Sequence, residues 1–292
     1  MSSGSVGVGR QGVNPYVHDG KALVGKVAES ADVKQDILRS VNLIGGFEKV
    51  IEPGDEVWLK PNYNSADAAP ASSDPEFVKA VAQLLYEHGA SRVIVGESSM
   101  QTLTTRKVME KTGAVAKVKE AAGELVFFDE GGWVKVDVGG KYLKTVSLPE
   151  KALSAKKLVY VCCMKTHFQA DFSMSLKLAF GFVKGSERLG FHLRNLQKKL
   201  VDLNKVVHPS LIIRDGRKCF IRGGPCHGEV RTPHVIVATA DRVANDVEGV
   251  KIIESFEGSS LKGDPWDYPQ ISYAAQIGLG AGSSQEYAVV TG

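Results

Sequence analysis

The run Leu158-Val159-Tyr160-Val161-Cys162-Cys163 most constrains what this chain can become. It is short, apolar and rich in β-branched and aromatic residues, so it reads as a strand covered on both faces, whose usual place is inside a parallel sheet. Polar residues follow at once. Lys165, Thr166 and His167 stand where such a strand ends, and open α/β sheets bind ligands beyond the carboxyl ends of their strands. The next segment, Ser173–Val183, has helical spacing, with Leu176, Phe180 and Val183 on one stripe. Lys177 lies between Leu176 and Leu178 in this apolar context. Its ammonium must therefore either snorkel to water or meet an anion, a carbonyl or a covalent partner.

The same grammar recurs along the chain. Ala22–Val27 reads as a strand, followed by a helix Val33–Ile44 capped by Asp32 and stopped by Gly45-Gly46. Strand Glu56–Lys60 leads into the polar loop that holds Asn62 and Asn64. Asp74-Pro75 then open a helix that ends near Gly89, and strand Arg92–Val95 stops at Gly96-Glu97-Ser98-Ser99, which completes a βαβ unit. A helical region, 103–122, precedes a hairpin of Val134–Val138 and Tyr142–Ser147 across Gly139-Gly140. Beyond the central stretch come a helix Leu193–Val207, a strand Leu211–Ile213 ending in Arg214-Asp215-Gly216, and a strand Val235–Ala238 ending in Ala240-Asp241, where Asp241 caps the helix Val243–Ser255. A helical segment Ile271–Ile277 and a strand Tyr287–Val290 close the chain. In a parallel sheet Lys60–Asn64, Glu97–Ser99, Lys165–His167, Asp215-Gly216 and Asp241 all fall on one rim. The expected fold is α/β, a mostly parallel sheet flanked by helices in a two-lobed unit over 20–292, preceded by a flexible tail, 1–19. Gly7, Gly9 and Gly12 spell G-x-G-x-x-G in that tail, but without the flanking strand and helix that a nucleotide loop needs.

Composition narrows the function classes. A formal charge of +3 on 292 residues, with scattered basic side chains, gives no nucleic-acid footprint. No apolar run is long enough to span a membrane, and the start lacks the apolar core of a signal peptide. Four cysteines without framework spacing fit a reducing compartment, so a cytoplasmic location is expected.

At these residues the sequence resembles the domain of unknown function 362 family, over about residues 50–292. The segments that carry the resemblance are Lys60-Pro61-Asn62, Gly89–Ser98, Lys165-Thr166-His167 with Leu176-Lys177 and Gly181, Asp215-Gly216 with Gly223-Gly224-Pro225 and Gly228, and Asp241–Asp246. A more distant likeness is to the nickel-dependent lactate racemase family, whose P-H-F-x-A-G-F-S-G-G-R-K segment shares His167, Phe168, Ala170, Phe172, Ser173 and Lys177 in register. That likeness implies His167 as catalytic acid/base, Lys177 as tether of a metal-bearing organic cofactor, and His192 as a metal ligand. The chain departs from the racemases at Lys60-Pro61-Asn62-Tyr63-Asn64 and Gly96-Glu97-Ser98, where their cofactor-gripping Arg and Thr groups and a second acid/base histidine are missing.

The candidate catalytic residues are thus His167, Lys177 and Glu97. Lys60, Asn62, Asn64, Lys165, Thr166, Asp215 and Gly224 are the candidate ligand-binding residues. His192 and Cys226 are candidate metal ligands, Cys226 because Cys219, Cys226 and His227 share a glycine-rich loop. No iron–sulfur spacing is present, although many relatives carry an appended C-x-x-C-x-x-C segment. Bland readings stand beside each of these: a histidine bonded to a strand-end carbonyl, a solvated glutamate, cysteines acting as small apolar residues. Two functions remain open. One is an enzyme moving a proton or hydride on a small anionic metabolite, in the manner of a racemase or isomerase; the other is a binding or carrier protein for an anion or metal. A homo-oligomer is compatible with both.

Overall fold

The computed structural model describes residues 6–10 and 12–292. In chain order the elements are β1 (Val17–His18), β2 (Lys21–Ala28), α1 (Val33–Asn42), β3 (Glu56–Lys60), α2 (Pro75–Glu87), β4 (Arg92–Glu97), α3 (Thr105–Lys111), α4 (Ala114–Glu120), β5 (Glu124–Phe127), β6 (Trp133–Asp137), β7 (Thr145–Pro149), β8 (Lys157–His167), β9 (Asp171–Ser173), α5 (Ser175–Leu178), α6 (Gly185–Leu193), α7 (Leu196–Leu203), β10 (Leu211–Gly223), β11 (Gly228–Arg231), β12 (Val235–Thr239), α8 (Arg242–Glu254), α9 (Pro269–Gln276) and β13 (Tyr287–Thr291).

One sheet serves almost the whole chain, in the order β1-β2-β12-β10-β8-β3-β4-β5, with β13 on β2, β11 on β10 and β9 on β8. β10, β8, β3, β4 and β5 pair in parallel. β12 runs antiparallel to both β10 and β2, which returns β2 and its parallel neighbour β13 to the common direction. The sheet is therefore mostly parallel, as the buried apolar runs imply. β6 and β7 form a separate two-stranded antiparallel sheet that packs against β8.

Alternation along the strands divides the core into two layers. Val159 and Val161 of β8 face one layer, built with Ile37 and Val41 of α1, Phe77 and Val81 of α2, and Val118 of α4. Leu158, Tyr160 and Cys162 face the other, with the hairpin and Phe182, Phe191 and Leu200. Asp32, Asp74 and Asp241 cap α1, α2 and α8 through their carboxylates, as their sequence positions require.

Several expectations need correction. The reversed direction of β12 carries Asp241 to the opposite rim, where it lines a cleft of about 900 Å³ with Lys157, His208 and Arg242. The strand through Asp215 does not end there. It continues to Gly223 past an irregularity between Asp215 and Cys219. The helical region 103–122 breaks at Gly113, whose φ of 81° is left-handed, and the expected helix over 193–207 is the shorter α7, set off from the preceding α6 by Arg194-Asn195. Nor is the described part of 1–19 a free tail. Val8 is fully buried and its N–H donates to Val206 O at 2.9 Å, and Tyr16 is buried with its hydroxyl on Gly46 O. Gly7 and Gly9 are small because a Cβ would stand 2.4 Å from Val206 O and 2.1 Å from His208 O, so they serve backbone contact rather than a nucleotide.

Candidate functional site

β3, β4, β8 and β10 are mutually parallel neighbours, so Lys60, Glu97, His167 and Asp215 come to the same side of the sheet. The first two form a sealed pair. Lys60 Nζ lies 2.6 Å from Glu97 Oε1, with both side chains 2 % exposed, and also donates to Pro61 O. Glu97 accepts two further bonds, from Ser98 N on Oε1 and Tyr63 N on Oε2. With both oxygens engaged, Glu97 anchors the loop after β3. Gly181 packs on this pair, where a Cβ would meet Lys60 Nζ at 2.6 Å and Glu97 Oε1 at 3.0 Å.

Three more cations surround the pair. Lys165 is buried and donates to Ala71 O. Arg188, on α6, is buried and donates to Val183 O, Ser99 O, Ser98 O and Ser98 Oγ. Lys177 is half-buried, and among the described residues Nζ has no hydrogen-bond acceptor; it stands 5.3 Å from the centre of the Phe180 ring. Burial first, then Lys165 and Arg188, push its pKa down to about 7. Near neutral pH Lys177 is thus shared about equally between ammonium and neutral amine.

The short helix that presents Lys177 is tied from below. Asp246 of α8 accepts from Ser175 N, Ser175 Oγ and Leu176 N, and Asn204 Nδ2 donates to Leu176 O. The expected helix 173–183 is in fact the last residue of β9, a single turn of α5 that starts where Asp246 meets Ser175 and Leu176, and a 3₁₀ turn, Ala179–Phe182.

The two histidines are distinguished by their partners. His167 Nδ1 accepts from Gln169 N at 3.1 Å and Ala170 N at 3.2 Å. An acceptor nitrogen carries no proton, so the neutral ring holds its proton on Nε2. Burial, then Lys177 and Lys165, lower its pKa to about 2. His167 is therefore a fixed neutral hydrogen-bond donor, which neither takes nor gives up a proton readily. In His192 the order is reversed. Gln169 Nε2 donates to His192 O at 2.8 Å, which orients the amide so that Oε1, 2.5 Å from His192 Nδ1, is the acceptor. His192 Nδ1 carries the proton and Nε2 keeps its lone pair. Phe180 links the groups: its ring centre lies 5.7 Å from that of His192 and 5.6 Å from Arg188 Cζ.

The other expected site residues are placed as follows. Asp215 is bound to Arg217, which also reaches Asp74, so it braces the N-terminus of α2. Asn62 exchanges bonds with Ser73 and accepts weakly from Asn64 N, so both asparagines shape the loop. Gly224, at φ 74°, lies against Thr166 O with no room for a Cβ, and Thr166 Oγ1 is buried without a partner. That close approach lays the β10–β11 turn over the end of β8 and puts Cys226 within electrostatic reach of Lys165 and Lys177. Among the described residues no three His, Cys, Asp or Glu side chains converge as metal donors around either candidate, His192 or Cys226, and no step is derived through a metal-bearing cofactor. Arg188 and Gln169 were not expected. The signal for Arg188 was its spacing of four from His192, one helical turn apart on α6.

The family model described as Domain of unknown function (DUF362) matches residues 57–251, and the chain belongs to that family. The "Thylakoid-associated protein sll1697" of Synechocystis sp. is 27% identical over 244 residues, covering 81% of this chain and 72% of the relative. Among solved structures, the lactate racemase apoprotein from Thermoanaerobacterium thermosaccharolyticum is similar with a TM-score of 0.45 at 12% identity; the match covers 74% of this chain and spans 55% of that one. Among the described residues no helix is long and apolar enough to cross a membrane.

Proposed function

We propose that this chain is an enzyme that moves a proton on a small anionic metabolite at the rim formed by Lys165, His167, Lys177, Arg188 and His192. The observation that carries the reading is Lys177, an amine without a hydrogen-bond acceptor among the described residues, set among buried cations that are themselves committed to backbone carbonyls. Nζ is not one of the buried polar atoms left without a partner, so it opens onto the rim, where an anion completes it or its neutral form is used. The division of labour differs from the one expected. Lys177 and the Nε2 lone pair of His192 are the proton carriers, and His167 Nε2–H is a donor toward an oxygen of the ligand. The cytoplasmic location belongs to the same proposal, supported by four cysteines that remain unpaired.

The carrier reading has one observation in its favour: each rim carboxylate, Glu97 and Asp215, is already occupied. One experiment separates the two. The protein is incubated in deuterated water with a panel of small 2-hydroxy and 2-amino acids, and exchange of carbon-bound hydrogen is followed by NMR. The enzyme reading expects exchange that falls roughly a hundredfold in Lys177→Met and in His192→Asn. Saturable binding of panel members without any exchange would leave the carrier.

A further inference from the structure

We propose that Lys177 is a covalent site for small 2-oxo acids, which it captures as an imine; this rests on the reading of the rim as a small-anion site. Four features of the geometry lead there. The first is the nucleophile itself. An amine with no acceptor and no carboxylate partner among the described residues keeps its lone pair, when neutral, for a carbon electrophile, and the rim carboxylate Glu97 is engaged by Lys60, Ser98 and Tyr63. The second is its mounting. Asp246 and Asn204 fix the backbone at Ser175 and Leu176, so Nζ is delivered from a rigid turn rather than a loose loop.

The third feature selects the substrate. Lys165 and Arg188 are cations whose positions are set by Ala71 O, Ser98 O and Ser99 O, and they stand in the field of Lys177. A carbonyl compound that carries a carboxylate on the adjacent carbon satisfies them, whereas a neutral ketone leaves them uncompensated. The fourth is His167, whose Nε2–H is held as a donor by the two N–H groups on Nδ1. A donor of fixed tautomer suits the oxygen on which charge develops when an amine adds to a carbonyl.

The step balances. The Nζ lone pair forms the bond to C2 of the 2-oxo acid while the carbonyl π pair moves to oxygen, where His167 Nε2–H stabilises it without transferring its proton. One amine proton passes to that oxygen to give the carbinolamine. Uptake of one solvent proton then releases the oxygen as water and leaves the iminium of Lys177. The hydrogens on C3 of the bound acid become acidic in this state, which connects the imine to proton movement.

The test is reductive trapping on the full chain. Protein is incubated with sodium pyruvate and sodium cyanoborohydride, and intact mass followed by peptide mapping reports how many reduced adducts form and where. A single adduct on Lys177 is expected, absent in Lys177→Met and unchanged in the surface variant Lys198→Met. Acetone in place of pyruvate is expected to label at least roughly tenfold more slowly, because it lacks the carboxylate. No adduct on correctly folded protein, or adducts spread over exposed lysines, would overturn the proposal. Because mapping is done on the unaltered protein, poor folding of Lys177→Met does not blunt the result. Hydrogen exchange in 2-hydroxy acids without any adduct would remove the imine and keep the proton-transfer reading. An adduct at Lys177 without exchange of any compound would keep the covalent site and remove that reading.

Discussion

At the scale of single residues, two buried histidines predict how stability depends on pH. His167 has its pKa lowered to about 2, and His208 to about 4, each mainly by burial, with Lys177 and Lys165 next for the first and Arg242 for the second. A lowered pKa means that the unfolded chain binds protons the folded chain refuses. Above the ordinary value of 6.5 both states are neutral at these rings and nothing is lost; as pH falls through 6.5 toward 4, unfolding takes up protons and stability declines. Urea midpoints measured between pH 7 and pH 4 should therefore drop steadily. His167→Asn, whose side-chain oxygen can still accept from Gln169 N and Ala170 N, should shed about one proton's share of that slope. An unchanged slope would mean that His167 is protonated in the folded state and is not the fixed donor argued above.

At the scale of elements, how far the sequence could be read depended on the range of the interaction that decides each element. Capping is local, so Asp32, Asp74 and Asp241 were legible, and so was the rim formed by Lys60, Glu97 and His167, because each follows an apolar run of strand length. The direction of β12 was not legible, since nothing in Val235–Thr239 records which neighbour it meets. Histidine tautomers were equally hidden. They depend on Gln169 and on the turn after His167, not on the histidines themselves. Gly181 shows an element-level constraint that a motif displays without explaining: it lets the 3₁₀ turn after α5 lie on the Lys60–Glu97 pair. Gly181→Ala should destabilise the fold by about 1–3 kcal/mol, because Lys60 cannot swing away without abandoning both Pro61 O and Glu97. Thermal denaturation measures this directly, and a neutral result would show that the pair relocates freely.

For the whole molecule, the sheet separates two tasks between its rims. The carboxyl ends of β3, β4 and β8 gather the cations and histidines of the candidate site. The opposite rim is closed by chain segments distant in sequence, among them the stretch from Val6 to Arg10, which lies along Val206–His208 through Val8 N–Val206 O and His208 N–Val8 O. Val8 is completely buried beside Leu158, the residue that opens the apolar run of β8. The strand that ends in His167 therefore has its other end covered by this segment, far from the site. Val8→Asp should place a carboxylate among Leu158, Val206 and Val207 and cost roughly 2–7 kcal/mol unless the segment detaches. Detachment is the cheaper response, since only Gly7–Arg10 need leave the surface. The expected outcome is then a modest loss of urea stability together with rapid amide exchange at Val8, Val206 and His208, while the site at the far rim keeps its ligand affinity. A variant that instead lost ligand binding while its amide exchange stayed native would show that the two rims are linked by something other than this strand.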